Sequence, residues 1–367
     1  MRALTIDEHG SLDRVMCRDD LDEPIVAQSG DVRVRVRAGS LNHLDLFVVA
    51  GMPGFTIHAP WILGSDAVGV VDQVGETVTS VSPGTRVVVN PGIGCGTCEY
   101  CRDGEQPLCV KFAVLGEHRP GSFADWLVVP ATHVRAIPDT ISDDVAAAFP
   151  LAALTAWRML VTRAQVTDRD LVLIQGIGSP VAIAALQIAK ARGARVWVTS
   201  SSDEKLARAR TLGADDGFNY TTQDVAREVR ARTGKRGADV VVDNSGTASW
   251  PSSLGALGRR GAQPAELVVA EETRLQDQDP GTGAVQDVHD LGAERRQVEA
   301  LTGVVDELIA SAPDVARFLA EFLDEKGDAV RPDTARLMVT SQNPPGLTPR
   351  GLGLSVGSSA GSAGCSE

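Results

Sequence analysis

The chain has 367 residues, 43% hydrophobic and 23% charged, with a formal net charge of −13. That length exceeds one ordinary core and predicts two or more domains, and no apolar run reaches the roughly 18 residues a membrane helix needs. The acidic balance argues against a nucleic-acid partner, which lysines and arginines would have to neutralise, and leaves small molecules as the expected ligands.

The N-terminal stretch MRALTIDEHGSLDRV alternates apolar and charged residues without the apolar centre of a secretory signal, so a cytoplasmic location is expected. Alternating runs at 31–38, 69–75 and 85–92 read as strands separated by Gly, Pro, Ser and Asp turns. They predict a small β-rich domain over residues 1–145.

Within it, residues 92–110 form a separate lobe. Four of the chain's six cysteines fall there, with the spacing C-x2-C-x2-C-x7-C at Cys95, Cys98, Cys101 and Cys109. Four clustered thiolates suit one tetrahedral Zn²⁺ per chain, and a closed set leaves no position for water or substrate, so the ion is expected to be structural. An iron–sulfur cluster and a pair of disulfides are the alternatives.

Residues 146–258 read as a nucleotide-binding α/β domain. The segment starting DLVLIQGIGSPVA predicts a strand over 171–175, a glycine turn, a helix over about 180–191 and a second strand over 195–199. Such a turn presents helix N-terminal N–H groups to a phosphate, which places Gly176, Gly178, Ser179 and Ala182 at a dinucleotide. Pro180 stands where a glycine is more usual and removes one donor, so some phosphate affinity should be lost. The second strand ends in hydroxyls, Thr199 to Ser202, rather than in an acid. Ser200 with Lys205 close behind therefore favours NADP over NAD, moderated by Asp203 and Glu204.

Taken together, LNHLD (41–45), ILGSDAVGVVDQVG (62–75), the cysteine lobe, GSFADWLVVP (121–130), LTAWRML (154–160), the glycine turn and LGADDGFNY (212–220) resemble the medium-chain dehydrogenase/reductase superfamily, which joins zinc-type alcohol dehydrogenases and quinone oxidoreductases. The resemblance implies a GroES-like β-rich catalytic domain followed by a Rossmann domain with a doubly wound parallel sheet, and a homodimer or homotetramer. It also implies an NAD(P)-dependent oxidoreductase acting on a small carbonyl, quinone or alcohol. Where zinc alcohol dehydrogenases carry the ligands of a catalytic zinc, this chain has Asn42, Ser65 and Leu151, and Leu44 replaces the hydroxyl that relays the alcohol proton. Asp45 is retained.

That pattern is similar to the zinc-independent quinone and enone reductases, and predicts hydride transfer to a quinone, enone or aldehyde, with Asn42 donating a hydrogen bond to the substrate oxygen or else fixing a local turn. The resemblance further places His43, Thr155, Tyr220 and Asn244 at the cofactor. Two readings compete: a zinc-type alcohol dehydrogenase with an altered site, such as one rebuilt from His43, Asp66 and His118, and a non-catalytic cofactor-binding relative.

The family pattern stops after Gly258, and no further apolar strand is expected beyond it. Residues 259–367 are polar and aperiodic at first, carry two helical-spacing sets around Val298–Leu308 and Val315–Phe322, and end rich in Gly, Ser and Pro. This atypical tail is expected to reflect a change of reading frame near residue 260, leaving the Rossmann sheet incomplete, or else a lineage-specific extension.

Overall fold

The computed structural model describes residues 1–51, 55–246 and 248–259, together with the backbone of 266–269. Two compact units emerge, the first covering Met1–Leu151 and the second beginning at Ala152.

In the first unit the strands are β1 (Ala3–Ile6), β2 (Met16–Arg18) and β3 (Asp31–Ala38), then, after helix α1 (His43–Ala50), β4 (Trp61–Ile62), β5 (Val68–Val74), β6 (Arg86–Val89) and β7 (Gly92–Ile93). A short helix α2 (Glu99–Arg102) precedes β8 (Ala113–Val114), β9 (Trp126–Pro130) and β10 (Val134–Ala136), and α3 (Asp143–Ala147) follows them. A five-stranded antiparallel sheet runs in the order β10-β6-β5-β3-β9, beside a three-stranded sheet β2-β1-β4 and the pair β7-β8. The period-2 pattern of DVRVRVRA explains β3: Val32 and Val34 enter a core with Val71, Val87, Val89, Leu127 and Val129, while the arginines face outward. Arg33 stacks over Trp126 of the neighbouring strand, 4.7 Å from the ring centroid, and pairs with Asp72.

Helix α4 (Pro150–Trp157) leads into the second unit, which alternates β11 (Leu171–Ile174), α5 (Pro180–Ala191), β12 (Arg195–Ser200), α6 (Asp203–Thr211), β13 (Asp216–Asn219), α7 (Val225–Arg232), β14 (Val240–Asp243), α8 (Trp250–Ala256) and β15 (Glu266–Val269). All four strand pairings are parallel, in the order β13-β12-β11-β14-β15. The residues of β11 and β14 are buried without alternation, as parallel strands covered on both faces require. The α5 sequence PVAIAALQIAKA is apolar on most of its surface, and residues 182–189 are buried. Ser202 and Asp224 side chains cap α6 and α7 by accepting from Lys205 N and Arg227 N.

The strand β15 corrects one expectation. Beyond Gly258, where the sequence pattern predicts no apolar strand, residues 266–269 pair in parallel with β14 through Val240↔Glu266 to Asp243↔Val269. Four residues, ELVV, suffice for such a strand, too short a run for its periodicity to stand out within a polar segment. The helical sets at 298–322 and the Gly/Ser-rich end lie outside the described residues. Among the described residues no helix is long and apolar enough to cross a membrane.

Candidate functional site

In the first unit, the four expected cysteines converge. One ligand atom from each of Cys95, Cys98, Cys101 and Cys109 lies within 4.8 Å of every other, and the Cys95 and Cys101 sulfurs are 4.0 Å apart. None of the four is in a disulfide, which removes that alternative. Backbone N–H groups already point at the sulfurs: Cys98 N donates to Cys95 Sγ at 3.3 Å, and Cys95 N and Lys111 N donate to Cys109 Sγ at 3.2 and 3.3 Å. Donors arranged in this way stabilise thiolates, and sulfurs near tetrahedral spacing fit a zinc ion. The backbone comes so close at Gly94 that a Cβ there would sit 3.0 Å from Cys101 Sγ. Among the described residues, this is the only convergent set of three or more His, Cys, Asp or Glu.

A second cluster surrounds the start of α1. Asn42 and Asp45 form a capping box, in which the Asp45 carboxylate accepts from Asn42 N at 2.7 Å. The Asn42 side chain reaches sideways: Nδ2 donates to Asp66 Oδ2 at 2.9 Å and faces Ser40 O at 3.4 Å. Asp66 Oδ2 also accepts from Ser40 Oγ at 2.6 Å, and Asp66 Oδ1 accepts from Leu151 N at 2.8 Å. Ser65 is fully buried, its hydroxyl donating to Leu115 O at 2.8 Å. Both hydrogens of the Asn42 amide therefore face protein acceptors, and the expected donor role toward a substrate oxygen does not fit this geometry. Burial pushes the Asp45 carboxyl up to about 7, and the charge of Asp66 acts in the same direction. Burial likewise pushes Asp66 up to about 6, against the opposing hydrogen bonds from Ser40, Asn42 and Leu151.

His43 lies next to this cluster on the exposed side of α1. The three-residue metal set of His43, Asp66 and His118 is not assembled: Asp66 is wholly taken up by Ser40, Asn42 and Leu151, and His118 Nδ1 accepts from Val114 N at 3.3 Å.

In the second unit, the strand order changes direction at β11 and β14, and the crevice outside the carboxyl ends of such strands is where a doubly wound sheet binds its ligand. The glycine turn leaves β11 there. Gly176 has φ +64°, and a Cβ on it would meet Ser245 Oγ at 2.7 Å, so only glycine fits. Asn244, at the end of β14, donates from Nδ2 to Ser179 Oγ at 2.6 Å across this crevice, while its Oδ1 is buried without a partner. Ser179 caps α5, its hydroxyl accepting from Ala182 N at 3.1 Å. With no N–H on Pro180 and that of Ala182 taken by Ser179, Val181 N is the first-turn donor left for an anion.

Ser200 is buried at the end of β12, where its hydroxyl accepts from Ser202 N at 3.1 Å and its carbonyl from Tyr220 N at 3.1 Å. Tyr220 itself is 51% exposed, and Thr155 is buried within α4. The Lys205 ammonium lies beside the turn, 3.2 Å from where a Cβ on Gly178 would be. Asp203 is turned aside, accepting from Asn219 Nδ2 at 2.8 Å.

A buried chain of side chains holds the turn from behind, and sequence reasoning misses it. Thr199 Oγ1 accepts from Gly176 N at 3.0 Å and donates to Gln175 Oε1 at 2.8 Å. Gln175 Nε2 donates to Ser253 Oγ at 3.0 Å, which donates to Asp243 Oδ2 at 2.6 Å. The four residues come from three strand ends and α8, so no spacing pattern links them.

Comparison with known proteins agrees with this architecture. The alcohol dehydrogenase GroES-like domain family matches residues 28–139, and the zinc-binding dehydrogenase family matches residues 180–263. The chain is 33% identical over 264 residues to a zinc-type alcohol dehydrogenase-like protein of Schizosaccharomyces pombe, covering 71% of this chain and 74% of that protein. The chain belongs to the medium-chain dehydrogenase/reductase superfamily. The chain is also similar to an L-threonine 3-dehydrogenase of Anaeromyxobacter sp., with 38% identity over 220 residues, 59% of this chain and 63% of that protein's length. A crystal structure of an NAD-dependent alcohol dehydrogenase superposes with a TM-score of 0.68 at 42% identity, covering 73% of this chain and 77% of that one. This superfamily member thus spans somewhat less than two thirds of the threonine dehydrogenase and about three quarters of the other two.

The self-capped turn gives a direct prediction. Replacing Ser179 and Pro180 together by glycine restores two N–H groups to an anion, and each hydrogen bond to a charge contributes about 1.5–3 kcal/mol. Fluorescence titration with NADPH should show binding at least about tenfold tighter than in the parent chain; equal or weaker binding would mean that the cap does not compete with phosphate.

Proposed function

We propose that the chain is an NADP-dependent oxidoreductase that reduces a quinone, enone or aldehyde without a catalytic zinc, its cysteine lobe holding one structural zinc. The observation that carries this reading is the hydrogen-bonded cluster around Asp66. Of the positions at which the superfamily resemblance locates catalytic zinc ligands, Asn42 is committed to Asp66 and Ser40, Ser65 to Leu115 O, and Leu151 offers only its backbone N–H. None of these side chains is a good zinc ligand.

Bound NADPH would supply the hydride, and the protein contributes position and polarity. Gly176 and Gly178 let the backbone approach the pyrophosphate, Val181 N donates to it, and Asn244 Oδ1 is an unfilled acceptor at the same crevice. Ser200 and Lys205 favour a 2′-phosphate because no acid ends β12 and, of the two acids that follow, Asp203 is engaged by Asn219 while Glu204 is exposed. Thr155, Tyr220 and His43 are assigned to the cofactor by the resemblance alone. Asp45 and Asn42 act through the cluster described above. The cysteine lobe maintains the scaffold. A homodimer or homotetramer is what the superfamily reading leads us to expect.

NADPH and NADH titrations of the zinc-loaded chain and its Lys205→Ala variant test the cofactor assignment. NADPH should bind more tightly than NADH, and Lys205→Ala should erase about tenfold of that preference, the worth of one charge-assisted contact. Metal analysis should give one zinc per chain. Two per chain, or preferred NADH binding, would turn the reading toward a zinc-type alcohol dehydrogenase.

A further inference from the structure

We propose that Thr199, Gln175, Ser253 and Asp243 are positioning residues of the dinucleotide site: without touching the cofactor, they set its affinity by fixing the glycine turn at Gly176. This rests on the cofactor reading above and adds to it the groups that hold the turn in its binding conformation.

A backbone N–H only donates and a carboxylate only accepts, so the two ends of this chain dictate every hydrogen between them. Gly176 N donates to Thr199 Oγ1, which leaves the threonine hydrogen for Gln175 Oε1. With its oxygen so used, the Gln175 amide turns Nε2 to Ser253 Oγ, and the serine hydrogen goes to Asp243 Oδ2. Donation runs one way, from the turn to the carboxylate. Thr199, Ser253 and Asp243 are fully buried and Gln175 nearly so, and a group left unpaired here has no water to turn to.

Asp243 braces the same glycine from a second side. Its Oδ1 accepts from Ser245 N at 2.9 Å, and Ser245 Oγ is the atom that a Cβ on Gly176 would meet at 2.7 Å. Thr199 also holds the turn twice, its carbonyl accepting from Ile177 N at 2.7 Å beside the bond from Gly176 N to its hydroxyl. The strands whose ends carry these groups, β12, β11 and β14, are neighbours in the sheet, so the chain ties together the carboxyl ends from which the crevice opens.

At φ +64° Gly176 has no side chain to keep it in place, and an untethered peptide there can rotate. Cutting the chain leaves Gly176 N without its acceptor, and the turn relieves this by moving away from the conformation that receives the pyrophosphate. Cofactor then has to draw the turn back, so the cost falls on binding. NADPH and NADH carry the same pyrophosphate and should lose affinity together, whereas Lys205 acts on the 2′-phosphate alone.

The test is fluorescence titration of the zinc-loaded full chain with NADPH and with NADH, each variant also being unfolded in urea to separate binding from stability. Thr199→Val should weaken both cofactors about tenfold, and Thr199→Ser, which returns the hydroxyl, should restore parental binding. Ser253→Ala, three hydrogen bonds away from the turn, should give a similar loss, and it carries the test if Thr199→Val does not fold. The double variant should lose about tenfold rather than about a hundredfold, because each substitution breaks the same chain. Parental binding by Ser253→Ala, a loss of stability alone, or a double variant whose losses multiply overturns the chain while leaving the cofactor reading intact. Failure of the parent to bind either dinucleotide overturns the cofactor reading and the chain with it.

Discussion

Stripping zinc from the cysteine lobe is expected to unfold residues 95–109 while leaving both main sheets paired. The segment has little else to hold it: its regular structure is the four-residue α2 and a single turn at Gln106–Leu108, and Cys101 and Cys109 are its buried sulfurs. Structural zinc bound by four thiolates contributes apparent free energies of about 10–16 kcal/mol in small zinc modules, far more than a core side chain. Without the ion, four sulfurs within 4.8 Å of one another would be close-packed thiols with no cross-link and no disulfide to replace it. Hydrogen exchange followed by mass spectrometry, before and after chelation, should show loss of protection confined to this lobe, and Cys101→Ser should reproduce it at full zinc supply. Equal protection with and without metal would show that the lobe is held by its loops rather than by an ion. Because the five-stranded sheet draws its core from Val32, Val34, Val71, Val87 and their neighbours, its exchange should change little.

This lobe is legible in the sequence because its ligands are local: the spacing that brings four cysteines together lies within fifteen positions. The strand at 31–38 and the helix at 180–191 are legible for a similar reason, since periods of 2 and 3.6 need only neighbouring residues. The cluster around Asp66 is not. Ser40, Asn42, Asp66 and Leu151 come from three segments separated by up to 111 positions, and each residue alone has an ordinary structural explanation. The amide orientation of Asn42 likewise depends on what lies opposite it. An acceptor-only carboxylate forces the Nδ2 side toward Asp66, so the residue type points to the right place while its hydrogen-bonding direction stays hidden. The resemblance supplies the location; only the fold supplies the chemistry.

The same cluster should give the chain an unusual stability profile with pH. Asp45 and Asp66 have ordinary carboxylate values near 3.8 when unfolded, but about 7 and about 6 in the fold, so folding takes up protons between those limits. Their contribution to stability is fully present below the unfolded value and is lost as pH rises through the folded ones. Each pH unit separating the folded from the unfolded value corresponds to at most about 1.4 kcal/mol for each group. Zinc thiolates work in the opposite sense, because acid releases the metal, so the raw profile mixes two trends. A comparison with Asp45→Asn separates them. Its amide oxygen can still accept from Asn42 N but carries no charge at any pH, which removes both the burial cost of the ion and its repulsion of Asp66. Urea unfolding at pH 5 and pH 8, with zinc present throughout, should show Asp45→Asn gaining on the parent by roughly 2–4 kcal/mol between the two. If the difference between the two proteins stays constant with pH, Asp45 is not held neutral by its surroundings.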